Sequence, residues 1–477
     1  MITFIIGLLI LFVGSFIYSK YVENQFCPNN EETPAIKYND GVDYMPLSTR
    51  KNMFIQLLNI AGMGPILGAI QGALFGPVAF IIIPLGAVLF GGVHDYFAGM
   101  LSIRNKGAQV VSIVHDYLGK RISVIYIWLV GILLLLLTTV FVFTSGDIIA
   151  ERFFNQHEFS LYNPVVLSIY LTVLGYFILA TLFPIDKIIG RFYPYISLLL
   201  LIGTALIVVG FFTHEIQIQE LNFAQINEHP LKLAIIPMFF MTVSCGLLSG
   251  FHSTQSTIIS RTLGSEKDGK KVFYFMMILE SLIAMIWAAA AMSVYNEGIV
   301  PQNIIGTANV VNIIADRFVP LHLAFIVTIA VVILPITSGD TAMRSLRMII
   351  AEQFNLSQKP IKNRLLIVIP MILVLMAALY WAKVKADSFG LVWRYFNFSN
   401  QLISIPVLLS ATVFLYRQTK NYFITLIPGL FYTFITFSFI LTSNIGFNLN
   451  LEKANIISII LVVLVTILLF KNIKNKN

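Results

Sequence analysis

The chain has 477 residues, 57% of them hydrophobic and only 11% charged, with a mean hydropathy of +0.84. A soluble globular domain carries about 25% charged residues, so this composition excludes a string of water-soluble domains. It fits a multi-span membrane bundle that faces lipid over most of its outer surface. The net charge of +8 does not point to nucleic acid, because the basic residues fall in short loops between apolar runs and not on one face.

In chain order, the first 19 residues carry no charge. They lack a basic leading region and a small-residue cleavage site, so they read as a retained span and not as a signal peptide. Twelve further apolar runs of about 20 residues meet the bilayer-length criterion. They lie near 54–72, 77–101, 123–147, 163–183, 192–213, 232–250, 272–295, 321–343, 365–382, 388–416, 421–442 and 455–470. The expectation is an all-α integral membrane protein of about thirteen helices. Loop charge sets its orientation. With the N-terminus outside, the outer segments hold only Arg152, Lys232, Arg317, Lys383, Lys385 and Lys453, and Arg394 lies within a span. The other 24 of the 31 Lys and Arg then face inside, as the positive-inside rule asks. The C-terminus is expected inside.

Two spans carry interruptions. The second reads NIAGMGPILGAIQG, with Gly62, Gly64 and Pro65 near its middle. The seventh reads TVSCGLLSGFHSTQS, with Gly246 and Gly250 followed by a polar string. Proline removes a helix hydrogen bond and glycine costs about 1 kcal/mol in a helix interior, so both helices are expected to break. The breaks lie five spans apart, so the two helices enter from opposite sides. Paired breaks in an inverted repeat mark the substrate site of many secondary transporters; the bland alternative is close helix packing at small residues. The expected organisation is 1–53 as a span and cytoplasmic loop, 54–213 and 214–416 as two five-helix repeats, and 417–477 as two peripheral spans.

Charged groups near the bilayer centre are costly and tend to line functional cavities. His94 and Asp95 could relay a proton or be an interfacial pair near Arg104. His252 lies next to the second break and is either a ligand or a packing residue. Glu280 has apolar neighbours and should face another helix or a cavity. Thr337, Ser338, Asp340 and Thr341 follow Pro335 and offer oxygen ligands for Na⁺, or a proton carrier in Asp340, which could equally pair with Arg344. Arg394 could neutralise one of these acids or receive an anionic substrate. Neither GSEKDGKK (264–271) nor GLLSG (246–250) has the context of a phosphate loop or a nucleophile elbow. There is no HExxH and no CxxC, and Cys27 and Cys245 lie far apart. No catalytic residue, resident metal or cofactor is expected beyond a coupling ion, H⁺ or Na⁺.

Six long blocks carry a family resemblance: IAGMGPILGAIQGALFGP (60–77), GAVLFGGVHDYFAGMLSIRNKG (86–107), SCGLLSGFHSTQS (244–256), LESLIAMIWAAAAM (279–292), TSGDTAMRSLRMIIAE (337–352) and VWRYFNFSNQLIS (392–404). In this order, across about residues 50–405, they resemble the carbon starvation protein A family of bacterial inner-membrane transporters, whose better-known members are longer. The resemblance implies uptake of small carboxylated nutrients, peptides or pyruvate, and a five-plus-five inverted-repeat core of the leucine-transporter type. By that analogy Asn59, Gly62, Gly64, Pro65, Cys245, Gly246, Ser249, Gly250, His252 and Ser253 would face substrate. Thr337, Ser338 and Thr341 would form an ion site with the first break. The readings carried forward are a proton symporter, a sodium-coupled carboxylate or amino-acid symporter, and a membrane nutrient sensor that binds without transport. A channel is disfavoured, since no filter repeat is visible. Oligomeric state is left open.

Overall fold

The structure, a computed structural model, describes all residues except 157, 184, 308, 385–387 and 476–477, and leaves undescribed the side chains of 185–190, 303, 321, 384, 388–389 and 475. Lys187, Lys385 and Lys476 of the loop-charge argument thus lie outside the described side chains. Among the described residues the fold is all-helical, with one isolated backbone bridge between Leu47 and Leu263.

Eleven helices are long and apolar enough to cross a membrane, and the pair Thr49–Ile60 and Met63–Phe75, bent by 50°, makes a twelfth. The first six spans are Ile2–Phe26, the bent pair, Ala79–Arg104, Lys120–Phe154, Pro164–Leu182 and Arg191–Thr213. With the numbers of the apolar runs kept, span 8 is Glu266–Asn296 and spans 9 to 13 are His322–Gln353, Ile361–Lys383, Gly390–Arg417, Phe423–Thr442 and Leu451–Lys474; twelve of the thirteen expected runs thus meet the length test among the described residues. Each span coincides with an apolar run of the sequence. The seventh run is broken into short pieces, Ile235–Phe239, Phe240–Thr242 and Ser244–Leu247, and a last helix, Gly250–Ile259. It therefore extends past residue 250, because its second half is polar and escapes a hydropathy criterion.

Packing places the broken helices centrally. The second half of span 2 lies against span 8, the last helix of span 7 against spans 3 and 11, and span 9 against span 4. Span 13 packs on span 12 and leaves Ile456, Ile460, Leu464 and Ile467 exposed, as a lipid-facing helix does. The loop before span 2 is pinned to the end of span 7, where Met45 N donates to Arg261 O (3.1 Å) and Leu47 N to Thr262 O (2.9 Å).

Candidate functional site

In span 2 the helix is left at Ala61 (φ −76°, ψ 54°) and Gly62 (φ −74°, ψ −155°). Gly62 N donates to Ile60 O at 2.8 Å and not to Leu58, so the Leu58 and Asn59 carbonyls drop out of the helix ladder. Ser338 Oγ from span 9 reaches both of them at 3.4 Å. The helix restarts at Met63, with Pro65 in its first turn, where a missing N–H costs little. Side chains are excluded here: a Cβ on Gly62 would lie 2.7 Å from Ser338 Oγ, and one on Gly64 2.3 Å from Cys245 Sγ. The two broken helices therefore touch at Gly64 and Cys245.

The break in span 7 falls at Leu248 (φ −161°, ψ 130°) and Ser249 (φ −134°, ψ 123°), both extended. Span 11 holds it open. Asn400 Oδ1 accepts from Ser249 Oγ (3.1 Å) and Phe251 N (2.7 Å), Gln401 Nε2 donates to Leu248 O (2.8 Å), and Ser244 Oγ donates to Asn397 Oδ1 (3.3 Å). A Cβ on Gly250 would come within 2.2 Å of Asn400 O, and one on Gly246 within 2.8 Å of Ala284 Cβ. Ser253 Oγ donates back to Gly250 O at 2.6 Å. Sequence reasoning missed Asn397, Asn400 and Gln401. Their i, i+3, i+4 spacing, which puts three amides on one face of an apolar helix, was the available signal.

Beside this break lies a chain of ionisable groups with no solvent exposure. His94 Nδ1 is 2.8 Å from Asp95 Oδ1, and His252 Nδ1 is 2.9 Å from Asp95 Oδ2. On the other side of its ring, His252 Nε2 is 3.5 Å from Glu280 Oε2, close but without hydrogen-bond geometry. One imidazole thus stands between two carboxylates on spans 3 and 8. Both Glu280 oxygens and His94 Nε2 lack a hydrogen-bond partner among the described residues, as do both amide atoms of the buried Asn59. Asn52 bonds Thr262 and Gln56 bonds Ser256, a register that carries Asn59 towards the level of His252. Buried polar atoms are nearly always satisfied, so this concentration of spare donors and acceptors marks a place for a ligand or a mobile proton.

Other candidates lie elsewhere. Arg104 forms no pair with Asp95; it binds Glu266 and the Cys27 carbonyl. Of the span-9 group only Ser338 meets the break. Thr337 and Thr341 hydroxyls bond carbonyls of their own helix, and Asp340 accepts from Tyr176 (2.7 Å) and Tyr193. Asp340 is therefore not paired with Arg344. Arg394 is exposed and donates to Gly390 O and Asn444 Oδ1. It lies six residues, roughly 9 Å, nearer the end of its helix than Asn400, which puts it outside the central cluster.

A second charged layer closes the side where the loop before span 2 meets spans 7 and 9. Asp43 is bonded by Arg344 (3.3 Å) and by both its oxygens to Arg347 (3.2 and 3.3 Å). Arg344 also donates to the Ala180 and Phe183 carbonyls, and Arg347 to Gln358. Burial pushes the Asp43 carboxyl up, but Arg347, Arg344 and Arg261 together outweigh it and hold it below the usual carboxylate range. On the opposite side Gln71 links the end of span 2 to Trp393 and the Gly306 carbonyl.

Comparison with known proteins agrees with this architecture. A 37% identical membrane protein of Haemophilus influenzae aligns over 62% of this chain and 91% of its own length. Relatives with named activities include a peptide transporter CstA from Helicobacter pylori (24% identical over 57% of the chain) and the pyruvate/proton symporter BtsT of Escherichia coli (24% over 59%). The aligned parts cover 48% and 47% of those two proteins, so the chain spans about half their length. Among solved structures, a mutant manganese transporter of Eremococcus coleocola superposes with a TM-score of 0.57 at 15% identity, over 92% of this chain and 99% of that one, which is a likeness of fold. The family model for carbon starvation protein CstA matches residues 1–168, 141–311 and 292–439. The chain belongs to the carbon starvation protein CstA family.

Proposed function

We propose that the protein is a secondary active transporter of the bacterial cytoplasmic membrane that imports a small carboxylated solute, a short peptide or pyruvate, together with a proton. The observation that carries this reading is the buried Asp95–His252–Glu280 chain beside the helix break. An imidazole between two carboxylates can take a proton from one and hand it to the other, and the three members of the chain come from three different spans. Movement of span 7 against spans 3 and 8 would separate the carboxylates and couple the proton to the change of access. The solute would sit between the two breaks, where Met63 and Gly64 present helix N-terminal N–H groups to a carboxylate. Asn59 and Glu280 offer free polar atoms beside it for the rest of the molecule. The N-terminus outside, the C-terminus inside and a pair of five-helix repeats over 54–213 and 214–416 are part of this proposal.

Reconstitution into liposomes tests it. Labelled pyruvate and a labelled dipeptide are offered under an imposed pH gradient, and accumulation of either above the equilibrium level is expected. Binding without accumulation under any gradient overturns transport in favour of a sensor. One observation favours a second reading: the Leu58 and Asn59 carbonyls and the Ser338 hydroxyl form a partial oxygen shell suited to Na⁺. Accumulation driven by a sodium gradient alone would select it.

A further inference from the structure

Spans 11, 12 and 13 end or begin together on the same face. There the structure forms two adjacent hollows. One, of about 480 Å³, is lined by Tyr416, Arg417, Thr419, Lys420 and Tyr422. The other, of about 430 Å³, is lined by Thr466, Ile467, Phe470, Lys471 and Lys474. They flank one aromatic wall, because the Phe470 ring packs on Tyr416 (6.1 Å between centroids) and on Tyr422 (5.9 Å). Each hollow carries two cationic side chains. None of the four has a carboxylate within ion-pair distance among the described residues, and Arg417 faces only the Tyr117 ring, at 5.8 Å.

Lysines elsewhere on this face do find acids, Lys270 with Glu23 and Lys271 with Asp268. The absence of acids here is therefore local. From Lys471 the exposed Ile467, Leu464, Ile460 and Ile456 run along one face of span 13 into the apolar region, following the i, i+3, i+4 rule. A cationic, aromatic-walled basin at the end of an apolar stripe has the shape of a phospholipid seat: headgroup in the basin, acyl chain along the stripe.

We propose that the two hollows together bind one anionic phospholipid carrying two phosphates, one phosphate in each hollow. Arg417 and Lys420 hold one phosphate, and Lys471 and Lys474 hold the other. Two separate cation pairs either side of a shared aromatic wall suit a two-phosphate headgroup better than a single phosphate. It also gives spans 12 and 13 a role that does not depend on the transport cycle.

The test uses the full chain, delipidated in detergent and titrated with defined lipids under native mass spectrometry. Diphosphatidylglycerol is expected to bind at one per chain, at least tenfold more tightly than phosphatidylglycerol. Lys420→Gln with Lys471→Gln should lower that binding tenfold or more, and Lys420→Arg with Lys471→Arg should keep it. Removing Arg50, Lys51 and Lys267, exposed cations on the same face, by changes to Gln should leave it intact. Equal binding of the two lipids overturns the proposal, as does unchanged binding in the double Gln variant. Displacement from the unaltered protein by millimolar inorganic phosphate also overturns it, since a free anion would then be the occupant.

Discussion

The protein buries two charged clusters, and they are built in opposite ways. Asp43 is enclosed by two arginines whose terminal nitrogens also bond backbone carbonyls and Gln358, so the carboxylate is held by both cations and only the Nε of each arginine lacks a partner among the described residues. The Asp95–His252–Glu280 chain is left incomplete: Glu280 makes no hydrogen bond, and His94 and Asn59 keep free polar atoms. A satisfied ion pair in a low-dielectric interior is rigid, and breaking it by removing one partner is strongly unfavourable. An unsatisfied one exposes groups that can be completed by something arriving from outside. The first cluster ties the loop before span 2 to spans 5 and 9; the second lies where two helices break.

Asp95→Asn is the strongest way to break this contrast. It removes the acceptor that joins the two histidines, and pH-driven uptake should fall to background while substrate binding, read by calorimetry, survives. Unchanged uptake at every pH would falsify the relay. Asp43→Ala should cost about 3–5 kcal/mol, since two buried arginines lose their counter-charge, read as a lower unfolding temperature and poor recovery. Asp43 also predicts a pH response. Its carboxyl is held below the usual range of about 3.9, so its stabilisation is complete above that value and is lost only as pH falls through the depressed folded-state value. The protection of the 38–48 amides, taken relative to their intrinsic pH-dependent exchange rates, should then be unchanged between about pH 5 and 8, and lower protection at pH 5 would show that the cluster titrates after all.

Asn400→Ala strips the acceptor from Ser249 and Phe251 at about 1–3 kcal/mol for groups left unpaired. That cost should show as a lower unfolding temperature, and solute affinity should in addition drop roughly tenfold; a stability loss with unchanged affinity would make the amide a packing residue. Ser338→Ala removes a long 3.4 Å contact, and where sodium drives uptake its half-saturation should rise a few-fold, consistent with about 0.5–1.5 kcal/mol. The smallest effect belongs to Arg394→Gln. That side chain is exposed and far along its helix, so kinetics should not move, and lost uptake would return it to the solute path.

The membrane class and the break in span 2 were legible because they rest on composition and on glycine and proline, which act locally. The positions of Asp95, His252 and Glu280 were legible too, as rare polar residues in apolar runs. Their mutual contacts were not, because residues 95, 252 and 280 meet only through tertiary packing of three helices. The partners of Asp340 were not legible for the same reason: the alternative of a pair with Arg344 rests on the favoured i+4 spacing, yet tyrosines from spans 5 and 6 and a loop aspartate bond the two residues instead. Arg394 misled because hydropathy places a residue in a span without giving its depth.

The touching point of the broken helices also makes the unaltered protein its own reporter. It has two free thiols, Cys27 exposed and Cys245 buried against Gly64. In the proposed topology Cys27 follows span 1 on the cytoplasmic side, so a membrane-impermeant maleimide applied to that side reaches it at once and reaches Cys245 only when the helices part. The ratio of the two labelling rates, followed as solute and gradient are varied, reads the frequency of opening without any engineered probe, and the side from which Cys245 is labelled tells which way it opened.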